Sequence, residues 1–398
     1  MNQIEELQES RDLLTNARLL FVACKIIGLT AFRIDVATMT VQRSKCCTAH
    51  VAAVVALQLI GMVAMPLSLL SVNVSAVQVA INLHIAASVA SFGINTVTVL
   101  AEFFCNFSKY SRMLRMLQEY GCQQNDLGLS VKSSIGFGWK IAPFVSTTVV
   151  LLIFINILSF QDKVYSFVIM AAQLVNACVT TTNMYKFYFL LLFVRSKMCD
   201  LKRCVSEMEV AHPSRIFPTD RAVSHFGTNY ENGQLDSCCQ RVRCARLAFE
   251  TLCELAKEVW RAHQLFLALQ VPLMLLRSTA YMYIAVASLA AGWAQFLDAC
   301  HLQLWLALLH ELATLLTVLV PAHVAAREAL GTADVASRLL LQAPPGSCLE
   351  RELLLFLRQV ERRTPKFSVY GIVQLDLKFL AAFVSILTTY TVILRSVK

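Results

Sequence analysis

Residues 46–101 read CCTAHVAAVVALQLIGMVAMPLSLLSVNVSAVQVAINLHIAASVASFGINTVTVLA, and no Asp, Glu, Lys or Arg occurs anywhere in the run. A helix that crosses a bilayer needs about 20 mainly apolar residues, so the run is long enough for two. MPLSLLSVNVSAV in its middle, with Pro66 and Asn73, supplies a turn between them. The whole chain has the same character. Of its 398 residues 57% are hydrophobic and 15% charged, and the mean hydropathy is +0.59, whereas a soluble protein carries about 25% charged residues. A soluble domain of this composition would expose far too much apolar surface to water. The chain reads as an all-α integral membrane protein.

Five further apolar stretches follow: 139–160, 164–194, 265–292, 300–322 and 371–394, which makes seven spans. The start, MNQIEELQESRDLLTNARLL, lacks the basic-then-apolar pattern of a signal peptide, so the first span is expected to direct insertion. The expected organisation is a cytoplasmic segment 1–45, spans one to four within 46–194 with a loop at 105–138, and a loop plus helix at 195–264. Spans five and six follow at 265–322, then helices at 323–366 and the last span within 367–398.

Orientation follows from where Lys and Arg collect. Segments 1–45, 105–138, 195–264 and 323–366 share one side, and they hold about 28 of the 35 basic residues, against roughly three on the other side. The N-terminus is therefore expected inside and the C-terminus outside, opposite to G-protein-coupled receptors. The net charge of +9 is explained by sorting and by anionic membrane lipid, and no nucleic-acid partner is implied. Of two sequons, Asn73-Val74-Ser75 falls in an external loop open to glycosylation, and Asn106-Phe107-Ser108 falls inside.

The cytoplasmic segments are patterned. In RVRCARLAFETLCELAKEVWRAHQLF, Cys244, Ala248, Leu252, Leu255 and Val259 recur at helical spacing. In CLERELLLFLRQVERR, Leu349, Leu353, Phe356, Leu357 and Val360 do the same, with Glu350 and Glu352 early and Arg362 and Arg363 late, which suits the helix dipole. HPSRIFPTDRAVSHFGTNYENGQLD (212–236) has no period and reads as a loop. Most of the 14 cysteines, among them Cys199, Cys204, Cys238, Cys239, Cys244, Cys253 and Cys348, fall in these segments. A reducing compartment predicts free thiols there, and the spacing of Cys238, Cys239 and Cys244 does not suit a metal.

Arg277 and Glu311 lie inside spans five and six. A mid-span charge costs about 2.5–3.5 kcal/mol on insertion scales. Both residues lie roughly 16–18 Å from the inner edge at 1.5 Å per residue, so a buried ion pair is expected, either a static one or one that stabilises a gating state. No catalytic constellation emerges. His84, His301, His310 and His323 are scattered without Ser or Cys partners, and 13 glycines form no phosphate loop. Neither an enzyme, a metal nor a cofactor is expected.

The C-terminal stretch FSVYGIVQLDLKFLAAFVSILTTYTVILRSVK resembles the insect gustatory receptor family. That family carries an aromatic residue, a small residue and a Gly, then a Leu-Asp-like pair, and near the end Thr-Tyr, five hydrophobic residues, Gln and Phe. Phe367, Gly371, Leu375, Asp376, Thr389 and Tyr390 match. LVPAHVAAREALGTADVASRLLLQ and CLERELLLFLRQVERR resemble the family's region between spans six and seven, and LAFETLCELAKEVWRAHQLFLAL resembles its approach to span five. The resemblance implies a subunit of a ligand-gated cation channel, with four subunits around a pore lined by the end of span seven. It further implies an anchor made by the cytoplasmic helices and a ligand pocket in the outer half of each subunit. Thr388, Val392 and Ser396, four apart, would share one pore-facing stripe. The chain departs from the signature at Arg395, Ser396 and Val397. Arg395 is expected at the external lip, pointing away from the axis or reducing conductance.

At the depth of the pocket the polar and aromatic candidates are Asn82, Asn156, Tyr165, Gln173, Asn176, Tyr281, Tyr283, Gln303 and Trp305. Each amide competes with a role in interhelical hydrogen bonding, and each aromatic with a role at the membrane interface. The scarcity of carboxylates tilts the expected tastant from sugars towards bitter compounds. The expectation is a gustatory receptor in the plasma membrane of a sensory dendrite, as a homotetramer or a heterotetramer with other gustatory receptors. The alternatives are an odorant receptor subunit, which Thr389-Tyr390 disfavours, and a G-protein-coupled receptor, which the charge asymmetry disfavours. A secondary transporter would show an internal repeat.

Overall fold

The computed structural model of the chain describes residues 32–35, 40–43, 45–69, 78–127, 164–210, 228–291 and 299–396. Strands β1 (Phe32–Asp35) and β2 (Thr40–Arg43) pair antiparallel, Phe32 opposite Arg43. Helices follow: α1 (Lys45–Leu69), α2 (Gln78–Phe104), α3 (Asn106–Asp126), α4 (Val164–Val210), α5 (Thr228–Ala291), α6 (Ala299–Gln342) and α7 (Cys348–Arg363). A hairpin of β3 (Ser368–Val369) and β4 (Val373–Gln374) leads into α8 (Leu377–Ser396). Among the described residues, Ile85–Phe104, Ala171–Met208, Ser237–Val286 and Trp305–Gln342 are long and apolar enough to cross a membrane. Thr48–Ala64 and Leu377–Ile393 are shorter apolar helices. The third expected span, 139–160, lies outside the described residues, as does Asn73.

The boundaries expected at residues 194, 264 and 322 fall inside unbroken helices. α4, α5 and α6 run for 47, 64 and 44 residues, or roughly 65–95 Å at 1.5 Å per residue. A hydrocarbon core is about 30 Å thick, so each helix continues well beyond it. Beyond that depth α4, α5, α6 and α7 share one core. Met198, Leu201 and Val205 of α4, Phe249 and Leu252 of α5 and Leu353 and Phe356 of α7 belong to it, while Ala325, Ala329 and Ala336 form the inward face of α6. Alanines at these positions let helix backbones approach closely. Phe249 and Phe356 meet edge to face at 5.6 Å.

α7 follows its sequence pattern. Leu349, Leu353, Phe356 and Val360 form its buried face, with Leu357 packed partly against the same core. The Ser347 hydroxyl accepts from the Glu350 amide at 3.1 Å, and the Glu350 carboxylate accepts from the Gly346 amide. The two contacts satisfy amides at the start of the helix. Across the interface Arg246 reaches Glu352 at 3.3 Å, and Arg363 reaches Glu254 at 2.9 Å and Glu250 at 3.4 Å. On α5, Ala248, Leu252, Leu255 and Val259 are buried, and Cys244 is partly so.

Four further expectations are corrected. Residues 106–126 of the expected loop 105–138 form α3, whose Tyr110, Met113, Leu114 and Tyr120 are buried at a helical spacing. The expected loop 212–236 ends earlier, because α5 begins at Thr228; continuation of an already long helix outweighs the turn preference of Asn and Gly there. The last helix starts at Leu377, and residues 368–374 form the hairpin before it.

The fourth correction concerns the cysteines. Cys239 and Cys348 are joined as a disulfide, while Cys199, Cys204, Cys238, Cys244 and Cys253 are free. The redox compartment sets a statistical preference, but the geometry decides which thiols meet, and here the first residue of α7 meets α5 about three turns from its start. Under denaturing conditions reduction should add two maleimide labels to the intact mass, and Cys239→Ser should abolish that difference. Equal labelling before and after reduction would contradict the pairing. Loss of the link should lower stability by about 2–4 kcal/mol.

Candidate functional site

The hairpin and α8 are built by the residues of the terminal motif. Phe367 and Leu375 are buried, and the Leu375 amide donates to the Phe367 carbonyl at 2.9 Å. Val369 pairs with Val373, and the turn between them places Gly371 at φ +76, a conformation that a Cβ disfavours. Asp376 ends the hairpin and caps the helix, its Oδ1 accepting from the Phe379 amide at 3.0 Å. The Trp260 indole donates to the Ser368 carbonyl at 3.1 Å, and its ring meets Phe367 edge to face. α5 therefore holds the hairpin from which α8 departs.

α8 buries one stripe, Phe383, Leu387 and Thr391. Thr388, Val392 and Ser396 are exposed, on a face centred about 140° around from the buried stripe at 3.6 residues per turn. Thr389 and Tyr390 are also exposed. The threonine hydroxyls turn back onto the helix: Thr388 donates to the Ser385 carbonyl at 2.9 Å and Thr389 to the same carbonyl at 2.8 Å. Val384, Ile386, Val392 and Ile393 add exposed apolar surface. The Arg395 side chain and Val397 lie outside the described residues.

Among the ligand candidates, Asn176 is engaged within the subunit. Its Nδ2 donates to Ser91 Oγ at 2.9 Å, its Oδ1 accepts from Asn95 at 2.6 Å, and Asn95 also donates to Thr180 at 2.8 Å. The amide thus ties α4 to α2, as interhelical polar groups in membranes generally do. Gln173, Tyr281 and Trp305 are partly exposed, and Tyr283 is buried. Asn82, Tyr165 and Gln303 lie on α2, α4 and α6 with side chains outside the described residues, and Asn156 lies outside them altogether. A small cleft is lined by Thr181, Met184 and Tyr185 of α4 and by His310, Thr314 and Thr317 of α6. It contains none of the ligand candidates read from sequence, and His310 is the one lining residue that the sequence reading named.

Among the described residues, two ion pairs are enclosed by the helices. Arg277 and Glu311 meet at 2.7 Å across α5 and α6, with 14% and 6% of their side chains exposed. Lys186 and Glu102 meet at 2.6 Å across α4 and α2, with 2% and 4% exposed. The Tyr110 hydroxyl donates to the same Glu102 oxygen at 3.4 Å, and Lys186 Nζ lies 5.1 Å from the Tyr110 ring centre. Sequence reasoning missed this second pair, although Lys186 interrupts an apolar span and Glu102 closes the charge-free run. Phe187, next to Lys186, contacts Trp260, so the pair stands two ring contacts from the hairpin.

Known proteins agree with this architecture. A family model described as 7tm Chemosensory receptor matches residues 17–394, and the chain belongs to that family. No curated protein sequence matches it. In fold it is similar to the insect olfactory receptor OR5 from Machilis hrabei, solved in complex with eugenol. The TM-score is 0.68 and the identity 12%, over 98% of this chain and 100% of that one.

Proposed function

We propose that this chemosensory receptor is a taste-receptor subunit of a tetrameric ligand-gated cation channel in the plasma membrane. Its N-terminus is inside and its last helix lines the pore. One observation carries the reading: among its described side chains α8 buries Phe383, Leu387 and Thr391 against its own subunit and leaves Thr388, Val392 and Ser396 uncovered. Four such faces around an axis would give an apolar ring at Val392 between hydroxyl rings, an arrangement suited to gating by dewetting. The terminal motif supports taste in particular. The orientation is supported by the charge asymmetry and by Asn106, whose buried amide donates to the Ala262 carbonyl at 3.3 Å and so has no room for a glycan. Asn73 stays the candidate for glycosylation. Gln173, Tyr281, Tyr283 and Trp305, with Asn82, Asn156, Tyr165 and Gln303, are the proposed ligand contacts. Asn176 is proposed to position them.

The test is current in outside-out patches from cells expressing this chain alone, with GTP omitted and a panel of sugars and bitter compounds applied. A ligand-evoked cation current is expected. Silence despite surface expression, persisting after Arg395→Leu, Ser396→Gln and Val397→Phe are combined, would count against a self-sufficient channel. The second reading is an odorant receptor subunit, favoured by the fold likeness to an olfactory receptor. Adding eugenol and other volatiles to the panel separates the two, since a taste receptor should answer the non-volatile compounds first.

A further inference from the structure

The exposed surface changes character at one level on two neighbouring helices. On α5 a stripe of exposed positions begins at Arg261 and continues through Leu265, Leu269, Pro272 and Leu276, at the spacing of one helix face. On α2 and α3 Val97, Leu100 and Phe104 are exposed, and then Arg112 and Arg115. The two changes are held at equal height: Asn106 donates to the Ala262 carbonyl at 3.3 Å, and Lys109 Nζ donates to the Arg261 carbonyl at 3.2 Å.

At that level one buried carboxylate organises two arginines. Glu258 is 2% exposed, and its Oε1 takes Arg112 at 3.0 Å and Arg261 at 2.6 Å, whose side chains are 55% and 56% exposed. One negative charge balances two positive ones, and Lys109 adds a third. Both guanidiniums therefore face outward with donors to spare, beneath an apolar strip that a bilayer-spanning chain presents to acyl chains. Planar guanidiniums suit phosphate oxygens, which they can engage in pairs.

We propose that Lys109, Arg112 and Arg261, set by Glu258, bind the headgroup phosphate of an anionic inner-leaflet phospholipid whose chains lie along Phe104, Leu265 and Leu269. The inner-leaflet assignment rests on the orientation proposed above. Lipid is the occupant because the cations are continuous with the apolar strip, so a single molecule of matching amphipathic chemistry satisfies both.

The test is native mass spectrometry of the full-length protein in detergent, titrated with phosphatidylserine and separately with phosphatidylcholine. Phosphatidylserine should bind at least tenfold more tightly. Lys109→Gln, which leaves both arginine–carboxylate contacts in place, should weaken it about fivefold. The combined Arg112→Gln, Glu258→Gln and Arg261→Gln variant removes the carboxylate with its cations and should weaken it about tenfold. Arg243→Gln, an exposed change elsewhere on α5, should have no effect. Equal binding of the two lipids, or binding unmoved by both Lys109→Gln and the triple variant, would overturn the site. Competition by soluble glycerophosphoserine at the lipid's own concentration would overturn the choice of lipid. Sidedness is read separately: an N-terminal tag reached by antibody on intact cells would overturn the inner-leaflet assignment and leave the detergent binding result unchanged.

Discussion

Lys186→Met should remove nearly all correctly folded protein, and Lys186→Met combined with Glu102→Gln should restore most of it. The pair is enclosed, with 2% and 4% of the side chains exposed, and its 2.6 Å contact is the direct compensation for taking Glu102 out of water. Methionine matches the length and apolar body of lysine but leaves the buried Glu102 carboxylate without its cation, held only by the 3.4 Å contact from the Tyr110 hydroxyl. Breaking a buried pair from one side costs about 3–5 kcal/mol, or roughly two to nearly four orders of magnitude in the folding equilibrium. Replacing both members with neutral groups is often close to neutral, and Gln at 102 still offers an oxygen to the Tyr110 hydroxyl. The readouts are surface expression and the melting temperature followed by size-exclusion fluorescence. A double variant as poor as Lys186→Met alone would mean that Lys186 stabilises the fold by something other than neutralising Glu102.

The apolar helices among the described residues and α7 were legible in the sequence because each is a local statement. A charge-free run from Cys46 to Ala101 has few alternatives to a pair of membrane helices, and Leu349, Leu353, Phe356 and Val360 encode the buried face of α7 one turn at a time. α3 was equally available, since Tyr110, Met113, Leu114 and Tyr120 keep the same period; the polar composition of the segment hid it. The partners of the polar side chains were not legible. Asn176 meets Asn95 and Ser91 only because α2 and α4 cross at a particular register, and close approaches such as Gly61 set how α1 seats against them. A Cβ at Gly61 would come within 2.6 Å of the Phe92 ring and 2.9 Å of Ala172. Helical period fixes which face a residue occupies; which face lies opposite depends on packing that no single segment encodes. The motif residues around Gly371 and Asp376 illustrate a further gap. The family resemblance marked them as important, while their local work of turning a hairpin and capping α8 became visible only in the structure.

Reversing either charge of the Arg277–Glu311 pair, with Arg277→Glu or Glu311→Arg, should abolish surface expression, and reversing both together should recover it. Each single change places two like charges where the native contact is 2.7 Å, deep between α5 and α6. The native charges already cost about 2.5–3.5 kcal/mol each to insert at mid-span, an amount offset by their mutual attraction. Like charges forfeit that offset and add repulsion in a medium of low polarity, so the penalty of a single reversal exceeds the insertion figure. The exchanged pair regains the attraction, although arginine on α6 and glutamate on α5 have different reach, so recovery should be substantial and incomplete. Once the double variant reaches the surface, its currents separate a static strut from a gating element. A strut predicts ligand sensitivity close to the parent's. A pair made in only one conformational state predicts a shift in the half-maximal concentration at equal expression, because exchanged geometry changes the stability of that state alone. If the double reversal expresses no better than either single reversal, the attraction between Arg277 and Glu311 is not what holds these helices together.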